Sequence, residues 1–307
     1  MDISLKPNLL ITGGTGFIGS HLAKYAIQNG WSVTSISISK PRKKNYINGV
    51  NYLKCDLRKE KNLEKIFKKK FNFIVNLSGY INHINFSVGG NKVVLEHFDI
   101  LRNIVTFVDK RYLQCLVNIG SSDEYGNLNF PQKEYFREMP YSPYSFGKTA
   151  SSHFLEMLYR SEGFPSCTLR LFLVYGPGQN KNRFLPQIIT GCLNDTKFPV
   201  SKGMQLRDFC YIDDIVNGIF KVLQSKNVFG KTYNLASGQP IKIKTIVKMI
   251  VSKLKKGKPE FGELDYRPGE NMNLVADIKK IEKDINWKPK VSIENGIDKT
   301  IQWYINN

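Results

Sequence analysis

Apolar and polar positions along this 307-residue chain switch repeatedly between strand-like and helix-like spacing. Leu9-Leu10-Ile11 is a continuous apolar run of strand length, and Gly13, Gly16 and Gly19 follow it at once. Ser20 to Asn29 then reads as a helix that stops at Gly30, the residue type best suited to end one. Trp31 to Ser37 alternates and is rich in β-branched residues, which predicts a second strand. Val50 to Cys55, Phe73 to Leu77 and Cys115 to Ile119 predict a third, fourth and fifth. Helical spacing fills residues 62–70 and 92–109, and Pro143 opens another helix that runs to about Glu162. Strands alternating with helices in this way predict an α/β fold built on a doubly wound parallel sheet.

Composition narrows the setting more than the chemistry. With 41% hydrophobic residues the chain can bury a substantial core. No apolar run approaches the roughly 20 residues of a membrane span, and Met1-Asp2-Ile3-Ser4 lacks the basic-then-apolar pattern of a signal peptide. No membrane partner is expected. Cys55, Cys115, Cys167, Cys192 and Cys210 are odd in number and widely spaced, and none has metal-ligand spacing. They read as buried thiols of a reducing compartment, so the expected location is cytoplasmic and no metal site is expected. The net charge of +19 is gathered in clusters at Lys40 to Lys44, Lys65 to Lys70, Lys253 to Lys258 and Lys279 to Lys283. These clusters are not interleaved with aromatics and read as solvated helix faces and loops, so a nucleic-acid partner is not expected.

The first strand, glycine turn and helix carry the clearest chemistry. In that order they bring the unpaired N–H groups of a helix N-terminus to a pyrophosphate. Gly13 permits the tight turn, Gly16 lets phosphate approach the backbone, and Gly19 lets helix and strand pack closely. A dinucleotide site of the Rossmann type is therefore expected. In an NAD site an acid near the end of the second strand takes the ribose 2′-hydroxyl. Here that strand ends in Ser37, followed by Ser39, Lys40, Arg42 and Lys43, with no acid at all. Ser37 and Arg42 suit a 2′-phosphate, which favours NADP(H) and leaves NAD(H) as the alternative.

After the fifth strand comes Gly120-Ser121-Ser122-Asp123-Glu124-Tyr125-Gly126, and further on Tyr144 precedes Lys148 by one helical turn. An ammonium beside a phenol favours phenolate and lowers the tyrosine pKa. A serine at the strand end within reach would complete a proton-transfer site.

These stretches resemble the extended short-chain dehydrogenase/reductases of the nucleotide-sugar epimerase/dehydratase group, over nearly the whole chain. The motifs that carry the resemblance begin with Thr12-Gly13-Gly14-Thr15-Gly16-Phe17-Ile18-Gly19, Cys55-Asp56-Leu57 and Asn76-Leu77-Ser78-Gly79. The serine strand and the Tyr144/Lys148 pair follow, then Leu169 to Gly178, Arg207 to Asp214 and Arg267-Pro268-Gly269-Glu270. The resemblance implies a catalytic acid/base at Tyr144, with Lys148 holding the nicotinamide ribose and tuning the tyrosine. It implies Ser121 or Ser122 on the sugar, Asp56 at the adenine, and Thr15, Phe17, Ile18, Leu57, Leu77, Ser78 and Gly79 along the cofactor. Arg207 and Arg267, with Arg183, would bind the substrate's diphosphate and ribose. Residues 1–175 would form the cofactor domain and 176–307 a smaller, interwoven substrate-binding part. Relatives of this group often pair as homodimers through the Tyr144 helix and the one before it; Phe154, Leu155, Leu158 and Tyr159 would allow that and suit an ordinary core face equally well.

Three departures from the group bear on the reaction. Matching Asp123-Glu124 to the dehydratase pattern Thr-Asp-Glu selects Ser122 and leaves the segment one residue short, whereas counting back from Tyr125 selects Ser121; Ser122 is the preferred expectation. In a 4,6-dehydratase the two acids eliminate water across C5 and C6. Third, Leu173 stands where an asparagine usually contacts the substrate phosphate. The C-terminal half resembles bacterial NDP-4-keto-deoxysugar reductases of the abequose synthase kind, which serve surface polysaccharide synthesis. An NADPH-dependent 4-keto reductase is the leading expectation, with a 4-epimerase, a 4,6-dehydratase and an RNA-binding protein on a cofactor fold as alternatives.

Overall fold

In the computed structural model, residues 6–266 and 269–307 are described. In chain order the first half runs β1 (Asn8–Thr12), α1 (Phe17–Gln28), β2 (Ser32–Ser37), β3 (Val50–Lys54), α2 (Leu63–Phe67), β4 (Phe73–Asn76), α3 (Gly90–Phe107) and β5 (Cys115–Ser121). It continues with α4 (Pro143–Glu162), β6 (Ser166–Leu171), β7 (Leu173–Tyr175), α5 (Phe184–Leu193), β8 (Lys197–Val200), β9 (Leu206–Tyr211), α6 (Ile212–Leu223) and β10 (Lys231–Leu235). The chain closes with β11 (Pro240–Lys242), α7 (Ile243–Leu254), β12 (Lys258–Phe261), β13 (Asn273–Leu274), α8 (Lys279–Ile285) and α9 (Ile293–Asn306).

Seven parallel strands form the central sheet in the order β10-β6-β5-β4-β1-β2-β3. Strand side chains alternate between its faces. Leu9 and Ile11 join a core with Leu22 and Ala26 of α1 and Ile219 of α6. Leu10 joins the opposite core with Leu101 and Ile104 of α3 and Leu155 and Leu158 of α4. With helices covering both faces, the sheet is doubly wound and Rossmann-like. Strand order reverses at β1, which lies between β2 and β4, and a ligand crevice belongs at the carboxyl ends of strands at such a switch point. A second sheet, β11-β9-β13 with β7 on β9, and the pair β12-β8 come from later residues. The chain nevertheless returns to the first sheet, because β10 pairs with β6 after β9 has left it.

One local expectation changes. The helix expected over 62–70 is only Leu63–Phe67 after one 3-10 turn: Leu63 and Phe67 are buried one turn apart, and Lys68 to Lys70 are exposed beyond it. Leu155 and Leu158, which suited pairing and an ordinary core face equally well, lie in the core, 1% and 6% exposed. The helix carrying Tyr144 has its expected span, closed at its start by Ser142 and Ser145 in a reciprocal cap and at its end by Gly163 at φ 65°. All five cysteines are buried and unpaired. No helix of the described residues is long and apolar enough to cross a membrane.

Candidate active site

The carboxyl ends of β1, β4, β5 and β6 open into a cavity of about 770 Å³ that continues towards α5, β8 and β9. Its floor is the glycine turn. Gly13 holds φ +68° and a Cβ there would lie 2.7 Å from the Leu77 carbonyl oxygen; at Gly19 a Cβ would lie 2.6 Å from the Gly13 oxygen. Neither position tolerates a side chain, so the turn and α1 sit directly against β4. The N-terminus of α1 has no side-chain cap and no acid in its first turn. Its N–H groups are thus left for an anionic ligand, and Gly13, Gly16, Phe17, Ile18 and Gly19 line the cavity there. These features fit a dinucleotide pyrophosphate. Leu77, Ser78 and Gly79 form the adjoining wall.

At the end of β2, the Ser37 hydroxyl accepts a hydrogen bond from the Thr15 amide at 3.3 Å, tying the strand to the glycine turn. Arg42 is exposed, as are Ser39, Lys40 and Lys43. Asp56 is held by Arg58 through Nε at 2.8 Å and Nη2 at 2.7 Å, which keeps its carboxyl below the usual range. Leu57 beside it is buried and accepts from Asn103 through its carbonyl.

Ser121, Tyr144 and Lys148 converge on the cavity from β5 and α4. The Ser121 hydroxyl, on the same cavity wall as the Tyr144 phenol, accepts from the Asp123 amide at 3.1 Å. Ser122 is buried and does not line the cavity. Of the two candidate serines, Ser121 is thus the one that reaches the cavity. The reason lies in Glu124, which folds back to accept from the Ser121 amide at 2.8 Å and sets the register of the turn. Ser121 is also the serine selected by counting back from Tyr125.

Glu124 also departs from its expected place beside the sugar. It is fully buried, and its second oxygen accepts from Ser152 Oγ at 3.0 Å and from Arg170 Nε at 2.9 Å. Asp123 faces the other way. Its Oδ2 lies 3.8 Å from His83 Nε2, and burial together with the Glu124 and Glu270 carboxylates pushes its pKa up, against His83 and Arg207.

The expected lowering of the Tyr144 pKa is not what the site produces. Burial and the Asp123 carboxylate push the phenol up, and the Ser121 hydrogen bond only partly opposes them. Lys148 donates instead to the Ile119 carbonyl at 2.7 Å, and its burial lowers its own pKa to about 8.

Two histidines border Tyr144 that no sequence pattern singled out. His97 packs edge-on against the phenol ring at 5.2 Å and His83 at 5.7 Å. His97 donates from Nε2 to the Tyr80 carbonyl, 3.0 Å away, and burial and Lys148 lower its pKa to about 4. A lone histidine in an amphipathic helix carries no local signal, since its partners come from the loop after β4 and from α4.

Arg183 is exposed at the start of α5 and Arg207 is buried in β9; both line the far end of the cavity. Arg207 pairs with Glu270 and donates to the Leu206 carbonyl at 2.8 Å. Arg267 lies outside the described residues. Leu173, 37% exposed, presents an apolar side chain between them, with Gln179, Asn180 and Asn182 nearby. Among the described residues no cluster of His, Cys, Asp or Glu could hold a metal ion.

Comparison with known proteins agrees with this geometry. The chain is 27% identical to the dTDP-glucose 4,6-dehydratase of Neisseria gonorrhoeae, over 100% of this chain and 98% of that one. It superposes with a TM-score of 0.88 on the UDP-N-acetylglucosamine 4-epimerase of Methanobrevibacter ruminantium, 27% identical, over 98% of this chain and 99% of that one. The dTDP-glucose 4,6-dehydratase of Bacillus anthracis, solved in complex with NAD, shares the fold at a TM-score of 0.85 and 23% identity, over 98% and 97% of the two chains. Residues 9–236, which span the glycine turn, Ser121, Tyr144, Lys148 and Arg207, match the model of the NAD dependent epimerase/dehydratase family, and the chain is an enzyme of that family.

Proposed function

We propose that this enzyme is an NADPH-dependent reductase of an NDP-4-keto-deoxyhexose. The end of β2 carries the reading. Epimerases and dehydratases of this kind recycle a tightly held NAD⁺, and an acid at the end of β2 holds its ribose. Here Ser37 stands at that strand end with exposed Lys40, Arg42 and Lys43 behind it. A carboxylate would repel a 2′-phosphate, whereas hydroxyls and cations receive one.

When bound, the dinucleotide supplies a hydride to the sugar carbonyl carbon. The chain's own residues then do the rest. Ser121 and Tyr144 meet the carbonyl oxygen as hydrogen-bond donors, and Tyr144 gives up its phenolic proton to the alkoxide that forms. The raised Tyr144 pKa suits a proton donor, because the phenol stays protonated until negative charge develops beside it. Lys148, anchored on the Ile119 carbonyl, presents a cation at the foot of the site. Arg183 and Arg207 receive the diphosphate, with Arg267 as a further candidate. Glu124, which the resemblance would make a partner in elimination across C5 and C6, is instead engaged by Arg170, Ser152 and the Ser121 amide.

Pairing of two chains would use what α3 and α4 leave exposed, Leu95, Phe146, Met157 and Tyr159.

Purified enzyme should consume NADPH with NDP-4-keto-6-deoxyhexoses, one equivalent per sugar reduced, with the product's C4 configuration read by NMR. Co-purified NAD⁺ and interconversion of C4 epimers without net cofactor consumption would overturn the reading in favour of an epimerase.

A further inference from the structure

A buried acid, a buried guanidinium and a glycine form one device behind Ser121. Glu124 is fully buried and both of its oxygens are engaged: one accepts from the Ser121 amide at 2.8 Å, the other from Ser152 Oγ at 3.0 Å and Arg170 Nε at 2.9 Å. The Arg170 side chain is 1% exposed, pairs also with Glu138, and lies over the Tyr125 ring with 4.6 Å to its centre. Gly120 opposes Arg170 across the β5–β6 ladder, and a Cβ there would overlap the Glu124 carboxylate. Space for the ion pair has thus been made in the sheet itself.

Stability does not explain the arrangement. Taking two charges out of water gives back little net free energy, and apolar residues of similar volume generally hold a core as well. What the pair does supply is position. The 3-10 turn it caps is Ser122–Tyr125, one turn long, and its reciprocal cap fixes the backbone of Ser121 at the last position of β5. Displacement of a reacting group by about 1 Å can lower a rate on the order of 100-fold.

We propose that Glu124, locked by Arg170 and Ser152, is a positioning residue that holds the Ser121 backbone so that its hydroxyl addresses Tyr144 and the substrate. The proposal rests on the reading of Ser121 and Tyr144 as the pair that meets the sugar. Gln at 124 keeps the volume but presents one acceptor and one donor to a site made of donors, so either the Ser121 amide or the Arg170–Ser152 side loses its partner.

The test is a double-mutant cycle on the intact enzyme, with Glu124→Gln, Ser121→Ala and the pair. Glu124→Gln is expected to lower kcat about tenfold or more, within the range of such positioning effects, with KM for the sugar nucleotide little changed. In the Ser121→Ala background the same substitution should have no further effect on kcat, because the group being positioned is gone. An equal fractional loss in both backgrounds, or unchanged kcat in the single variant, overturns the proposal. If Glu124→Gln does not fold, Ser152→Ala, which removes one anchor of the carboxylate, takes its place in the cycle with the same two outcomes. Amide hydrogen exchange at Ser121 needs no turnover. It should quicken in Glu124→Gln while Cys115 to Ile119 stay protected, and unchanged protection at Ser121 also overturns the proposal. An enzyme that turns over no 4-keto sugar would sink the functional reading by itself, and the exchange measurement would still decide whether Glu124 holds Ser121.

Discussion

Lys148 follows Tyr144 by one turn of α4 and donates its ammonium to the carbonyl oxygen of Ile119, 2.7 Å away on β5. The contact joins the helix that carries the phenol to the strand that carries Ser121, so the two halves of the site move as one body. It also buries a cation whose pKa burial has lowered from 10.5 to about 8.

That lowering makes a stability prediction with a definite sign. The unfolded chain binds a proton at Lys148 up to about pH 10.5, the folded chain only up to about pH 8. Folding therefore releases a proton between these values, and the burial penalty, about 3 kcal/mol at neutral pH, disappears as pH rises through the window. Denaturant unfolding of wild type and Lys148→Met should show wild type gaining on the variant by roughly that amount between pH 7 and 10.5. A constant difference across the window would mean that Lys148 is not buried as a cation.

His97 has the same sign in an acid window. Burial and Lys148 lower its pKa from 6.5 to about 4, so the folded chain holds the ring neutral where the unfolded chain would protonate it. The stability this represents is complete above pH 6.5 and is lost as pH falls towards 4, on the order of 3 kcal/mol. His97→Asn, with no titrating ring, should lose markedly less stability than wild type over that interval. Parallel acid-unfolding curves would remove His97 from this role.

Cofactor choice is the most direct test of the β2 reading. Ser37→Asp places a carboxylate where a 2′-phosphate would sit, so KM for NADPH should rise at least about tenfold, the effect of a single charge contact of about 1.4 kcal/mol, while NADH becomes the better substrate. Arg42→Ala should weaken NADPH in the same direction and reduce the salt dependence of its binding. An enzyme that prefers NADH before any substitution contradicts the assignment at once.

Much of this architecture was legible because it is local. Each strand from β1 to β5 carries its own apolar run or alternation, and α4 announces itself with Pro143. The short strands β7, β9 and β13 are not readable in the same way: they take their partners from distant segments, and β13 is only Asn273–Leu274. Which of Ser121 and Ser122 lines the cavity was not legible for a related reason. Two neighbouring serines look alike along the chain, and the decision is made by Arg170, which lies 46 residues from the Glu124 it holds. Tyr144 and Lys148 were correctly seen to share a helix face, but a shared face does not say where an ammonium points, and the Ile119 carbonyl claimed it.

The two acids after Ser121 separate reduction from elimination. Tyr144→Phe should abolish turnover while leaving dinucleotide affinity close to wild type, because the phenol acts on the sugar oxygen and the cofactor is held mainly by the glycine turn. Asp123→Asn should be far milder. Asp123 sits beside Tyr144 and raises its pKa, so neutralising it lowers that pKa and moves any alkaline limb of the kcat profile to lower pH, with a rate loss within about tenfold, well below the 10²–10⁴-fold a lost acid–base catalyst brings. The pH–rate profiles of wild type and Asp123→Asn decide the matter. A loss of several orders of magnitude in Asp123→Asn would mean that the carboxyl itself transfers a proton to the sugar, and would return elimination to the chemistry of this site.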